Sequence, residues 1–124
     1  MRPLLLIARM APDRLLRLSM LASSLGIQVK AAAESEYGQP LAALCGMVKP
    51  LPHPQNVQIT EEIMVMAGFP DALIDRFLRE IRQSGLRPVR LKAVLTPYNQ
   101  GWTLGELSLR LSQEAAQMEG RSKR

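Results

Sequence analysis

The apolar positions of this chain fall into two repeating kinds of run. Leu4-Leu5-Leu6-Ile7-Ala8, within an apolar stretch over 3–10 that ends in Arg9-Met10, is continuous, the pattern of a strand covered on both faces. Pro12-Asp13 then suits a helix start, because proline loses no hydrogen bond there and an acid suits the positive end of the dipole. Leu15, Leu18, Ala22 and Leu25 recur at helical spacing, and Gly26 stands where helices end. Ile27–Ala31 alternates with period two, as a half-buried strand does, and a weaker helix is predicted from Gln39 to Met47 with Leu41 and Leu44 on one side.

Lys49 to Asn56 carries Pro50, Pro52 and Pro54 and can enter neither a helix interior nor a central strand, so 48–60 reads as an extended, exposed linker. Beyond it the order restarts. Ile63–Ala67 is apolar on both faces, and Pro70-Asp71 opens a helix with the stripe Leu73, Ile74, Phe77, Leu78 and Ile81. Gly85 closes that helix, Val89–Leu95 alternates, and a last helix runs from Leu104 to Met118.

Two βαβα halves, 1–47 and 61–118, therefore form one α/β domain, followed by a flexible basic tail at 119–124. The matching punctuation, Pro12-Asp13 with Pro70-Asp71 and Gly26 with Gly85, suggests an internal duplication, although any two βαβ units share this grammar. Doubly apolar strands belong inside a sheet and half-polar ones at its edges. The expectation is a four-stranded sheet with the first strand of each half central, in a ferredoxin-like or a small doubly wound arrangement.

Composition adds a cellular setting and removes several chemistries. At 124 residues with 47% hydrophobic and 22% charged residues, the chain can bury a core without cross-links. The lone Cys45 permits no internal disulfide and suits a reducing, cytoplasmic setting. The lone His53 leaves no Cys/His metal cluster, so no metal and no cofactor are expected. The first apolar run is too short for a signal core or a membrane span. Net charge is +5 with a pI near 10.0, which suggests an anionic partner, but Arg121, Lys123 and Arg124 in the tail supply much of that excess.

Phosphate loops, dinucleotide fingerprints, zinc-protease helices and nucleophile elbows are missing from the sequence. His53 lies between prolines and reads as a solvated linker residue, and Cys45, with no basic sequence neighbour, as a buried structural thiol. Glu61 and Glu62 alternate across a strand start, cannot converge on one substrate and read as solvated. No residue is assigned a catalytic role. The densest candidate is the segment carrying Lys92, Thr96, Pro97, Tyr98, Asn99 and Trp102, where an edge strand runs out into a loop at its carboxyl end. A purely structural reading competes: Thr103 and Glu106 form a capping box, with Trp102 and Leu107 as its staple.

Met64–Phe69, then Leu73–Leu78, then Leu91–Asn99 and Trp102–Leu107 resemble domain-of-unknown-function family 3783 across about residues 62–117. The string "LKAVLTPxN" followed by "WT" carries most of that resemblance. It implies a compact bacterial α/β module and brings no catalytic residues. Pro70 stands where the family usually has a serine or similar cap.

A second candidate is basic: Arg76, Arg79 and Arg82 on the third helix, with Arg87, Arg90 and Lys92 beyond it. Three readings follow. The first is a non-catalytic protein-binding or regulatory module, self-associating through Met64 and Met66 if one sheet face is open. The second is a nucleic-acid-binding module using Arg76 to Lys92, less favoured because stacking aromatics are few. The third is a small-ligand binder or enzyme using 96–102. No membrane partner is expected.

Overall fold

The computed structural model describes residues 1–122, with side chains as far as Gly120. β1 (Leu4–Ala8), α1 (Pro12–Ser24) and β2 (Gln28–Ala31) lead through a single 3-10 turn at Glu34–Glu36 into α2 (Leu41–Leu44). β3 (Ile63–Ala67), α3 (Asp71–Gln83), β4 (Leu91–Val94) and α4 (Leu104–Ser122) complete the chain.

The sheet runs β2-β1-β3-β4. β1 is parallel to β2 and β3 to β4, each pair joined by a crossover helix, as parallel pairing requires. The doubly apolar strands are central: all five residues of β3 and the last four of β1 are buried. That central pair is antiparallel, with Leu4 opposite Ala67, Leu6 opposite Val65 and Ala8 opposite Ile63. Of the two arrangements left open by the sequence, the antiparallel centre excludes the doubly wound one. Each outer strand runs parallel to the first strand of its own half.

Both faces are covered. Leu5, Ile7, Met64 and Met66 face α1 and α3, packing with Leu18, Ala22, Phe77 and Ile81. Leu6, Ala8, Ile63, Val65 and Leu91 pack against Leu41 and Leu44 of α2, Leu104 and Leu107 of α4, and Tyr37 and Ile59. Met64 and Met66 are thus core residues, 1% and 2% exposed, and offer no open face for self-association.

The first three elements of the two halves match in length, while their last helices, α2 with four residues and α4 with nineteen, do not. β1 and β3 have five residues each, α1 and α3 thirteen, β2 and β4 four. The helix ends answer each other at Gly26 (φ 76°) and Gly85 (φ 81°), and the strand exits at Arg9 (φ 57°) and Gly68 (φ 71°). The connection between α3 and β4 is the longer of its kind and contains Pro88.

Three sequence expectations need correction. The helix expected over Gln39–Met47 is one turn only, because Pro40 precedes it and Gly46 (φ 76°) ends it. The 48–60 segment is exposed over most of its length but is pinned to the domain. The Gln39 side chain donates to the Leu51 carbonyl (2.8 Å) and accepts from its N–H (2.7 Å), while Ile59 is buried. Finally, α4 runs beyond Met118 to Ser122, so the first part of the expected tail is helical. Glu119 in that part ion-pairs with Arg90 at 2.9 Å. Lys123 and Arg124 lie outside the described residues.

Candidate functional site

The 96–102 loop leaves β4 and must turn at once into α4, and its polar side chains accomplish that turn. Asn99 is buried: its Oδ1 accepts from the Thr96 N–H (2.9 Å) and its Nδ2 donates to the Val94 carbonyl (3.1 Å). The Thr96 hydroxyl accepts in return from the Asn99 N–H at 3.2 Å. Thr103 caps α4 by accepting from the Glu106 N–H (3.1 Å), but the Glu106 carboxylate turns to Arg110 (3.1 Å) instead of closing the capping box. The Arg110 guanidinium lies 4.1 Å from the Trp102 ring centre. Tyr98 meets Trp102 edge-on at 5.9 Å and is 84% exposed, and Pro97 is exposed beside it.

The loop also performs a task invisible in the sequence. The first N–H groups of α2 have no partner inside their own helix. Leu41 donates to the Trp102 carbonyl (2.8 Å) and Ala42 to that of Gln100 (2.9 Å). In return, Leu104 and Gly105 at the start of α4 donate to the carbonyls of Gln39 (3.2 Å) and Tyr37 (3.0 Å). Each half caps the last helix of the other. The 48–60 segment packs closely against both: a Cβ on Gly105 would run into Val57, and one on Gly38 into the Gln55 carbonyl.

Lys92 does not join this loop. It pairs in register with Met64 and points to the α3 side of the sheet, whereas Trp102 packs on the α4 side. The residues proposed as one ligand site are thereby split between two faces. Lys92 is brought instead to Arg82, on a cleft of about 100 Å³ between α3 and β4 that is floored by Met64, Leu78 and Ile81.

The basic series divides as well. Arg90 is held by Glu61 (2.6 Å) and Glu119 (2.9 Å), and these carboxylates, Glu119 foremost, push its pKa upward. Arg76, Arg79, Arg82 and Arg87 are exposed, and neither they nor Lys92 has a carboxylate at ion-pair distance among the described residues.

Glu62 departs from its solvated reading, since it binds Arg14 of α1 through a bidentate, mostly buried contact (3.0 Å to Nε). Sequence reasoning found neither this pair nor Arg90–Glu61–Glu119, because the partners are remote along the chain. Cys45 is half-buried, and burial pushes its thiol pKa up, away from a reactive thiolate. His53 is exposed in the linker. At the exit of β1, Arg9 pairs with Glu34 (3.1 Å) beside the buried Tyr37, whose pKa burial raises against the opposing charge of Arg9. Among the described residues no group of three or more His, Cys, Asp or Glu converges on a metal position, and no helix is long and apolar enough to cross a membrane.

Residues 62–118 match the model of a family described as Domain of unknown function (DUF3783). No curated protein and no solved structure matches the chain.

Proposed function

We propose that the chain, whose residues 62–118 match the model of domain-of-unknown-function family 3783, is a non-catalytic, cytoplasmic protein-binding module. It is built from a repeated βαβα unit and engages an acidic partner through the outer surface of α3 and β4. One observation carries this reading. Arg9, Arg14, Lys30, Arg90 and Arg110 are matched to carboxylates, and of the described cations that have none, Arg76, Arg79, Arg82, Arg87 and Lys92 fall on α3, β4 and the turn between them, while Arg2, Arg17 and Lys49 are scattered elsewhere. Charge left unmatched on one surface favours an anionic partner and speeds its encounter.

A protein fits this surface better than a nucleic acid. Stacking platforms are what single-stranded nucleic acids need, and the Tyr98–Trp102 pair lies with α4, on the other side of the sheet from Lys92. The small-ligand reading of 96–102 loses its main support, because Asn99 and Thr96 are committed to backbone partners. The repeat reading draws on the equal element lengths, the paired positive-φ sites and the mutual capping of α2 and α4.

The test is retention from nuclease-treated extract of the source cells on immobilised wild-type protein and on an Arg79→Glu/Arg82→Glu variant of unchanged melting temperature. A discrete protein held by the wild type, released by salt and missing from the variant is the expected result. Equal retention by both proteins, or recovery of nucleic acid alone from untreated extract, refutes the reading.

A further inference from the structure

The α3–β4 cleft has an internal control, because the other half of the chain builds the same corner. Aligning Pro12 with Asp71 and Gln28 with Leu91, the starts of elements of equal length, sets Ser19 against Leu78, Ser23 against Arg82 and Val29 against Lys92. Ser19, Ser23 and Val29 do line the corresponding groove between α1 and β2. The first groove is lined by a single cation, Arg2 ahead of β1, and by none from its helix or strand, whereas its counterpart joins an apolar floor to a cation from each of its two elements. Since the scaffold is satisfied by Ser23 and Val29 in one half, neither Arg82 nor Lys92 is required to form it in the other.

We infer that the α3–β4 cleft receives a single aliphatic or aromatic side chain from an acidic segment of a partner protein, with Arg82 and Lys92 binding carboxylates on either side of that anchor. The inference rests on the protein-binding reading and narrows it to one place. The cleft volume of about 100 Å³ suits one side chain, and Met64, Leu78 and Ile81 give it an apolar floor. Arg82 and Lys92 come from different elements, one on the helix and one on the strand, so their charges flank the floor. An apolar anchor ringed by charge-assisted contacts is the usual economy of a peptide hot spot. A phosphodiester chain would satisfy the cations and leave the apolar floor unused.

The test is a random-peptide display selection on the full-length protein, followed by fluorescence anisotropy with the best peptide, its anchor-to-Ser version and a labelled single-stranded RNA. Enrichment of acidic sequences around one Leu, Ile, Met or Phe is expected. Arg82→Ser and Lys92→Val, which borrow the residues of the other half, should each weaken that peptide by about tenfold, close to 1.4 kcal/mol, without lowering the melting temperature. Arg82→Lys should retain most of the binding. The anchor-to-Ser peptide should lose a comparable factor, and RNA should compete only at low salt.

Enrichment of peptides without acids, equal binding of the Ser version, or RNA binding tighter than peptide binding overturns the cleft assignment. The broader reading fails separately. If wild-type protein retains a cellular partner that the Arg82→Ser/Lys92→Val variant also retains, the cleft is wrong and the binding module stands. If no partner is retained by the wild type at all, both fall.

Discussion

Arg9 and Gly68 occupy the same backbone state at the exits of β1 and β3, and only one of them is a residue suited to it. A side chain at positive φ costs roughly 1 kcal/mol, and the exposed Arg9–Glu34 pair returns little. Arg9→Gly should therefore leave the melting temperature unchanged or raise it. The reverse change, Gly68→Ala, should cost about 1–2 kcal/mol in urea unfolding, because its Cβ would also press on Met1 and the Arg2 carbonyl at 3.2–3.3 Å. Asn99 is the second telling residue. Asn99→Ala leaves the Thr96 N–H and the Val94 carbonyl without their partner in a half-buried turn, and about 1 kcal/mol of stability should be lost. Cys45 is the third. Its pKa is higher in the folded than in the unfolded chain, so the folded state favours the neutral thiol. Stability is then level below the ordinary thiol value of 9.0 and falls as pH rises above it. Alkylation of Cys45 at pH 8 should be at least tenfold slower in native than in urea-unfolded protein, by about the factor that opening the fold must supply.

Among the elements, β1, α1, β2, β3, α3, β4 and α4 are each legible from local pattern, since each carries its own periodicity and punctuation. Phe77 and Ile81 mark the buried stripe of α3 without help from anything distant, and both are buried. α2 was not legible at its true length. Its sequence is apolar throughout, and what limits it is Pro40 on one side and Gly46 on the other, while its first N–H groups depend on carbonyls near Trp102. The direction of the central strand pair was equally out of reach, because alternation along a strand is the same whichever way its neighbour runs. Of the candidate site, residue types could be picked out but not their faces: Lys92 and Trp102 are close in sequence and end on opposite sides of the sheet. At this scale Gly105→Ala is the sharpest test. The added methyl meets Val57 where α4 begins, and such overpacking should cost about 1–3 kcal/mol by chemical unfolding. Val57→Ala in the same chain should return part of that loss.

For the whole molecule, the nominal charge of +5 is less informative than its distribution. Ion pairs tie α1 to the start of β3 through Arg14–Glu62, and the start of β4 to α4 through Arg90, so the surplus that matters is the set of unmatched cations on α3 and β4. The mutual capping of α2 and α4 has a consequence of another kind. Each half supplies carbonyls to the first N–H groups of the other's last helix, and each central strand alone would present an apolar, unpaired edge. The covalent connection through Pro50, Pro52 and Pro54 contributes proximity, whereas recognition between the halves resides in the β1–β3 ladder and the exchanged carbonyls. Two polypeptides, 1–53 and 54–124, produced together should then reassemble into a native-like complex with one cooperative melt, while each produced alone should aggregate or pair with a copy of itself. The fold would behave as a split protein, its two pieces a ready-made complementation pair.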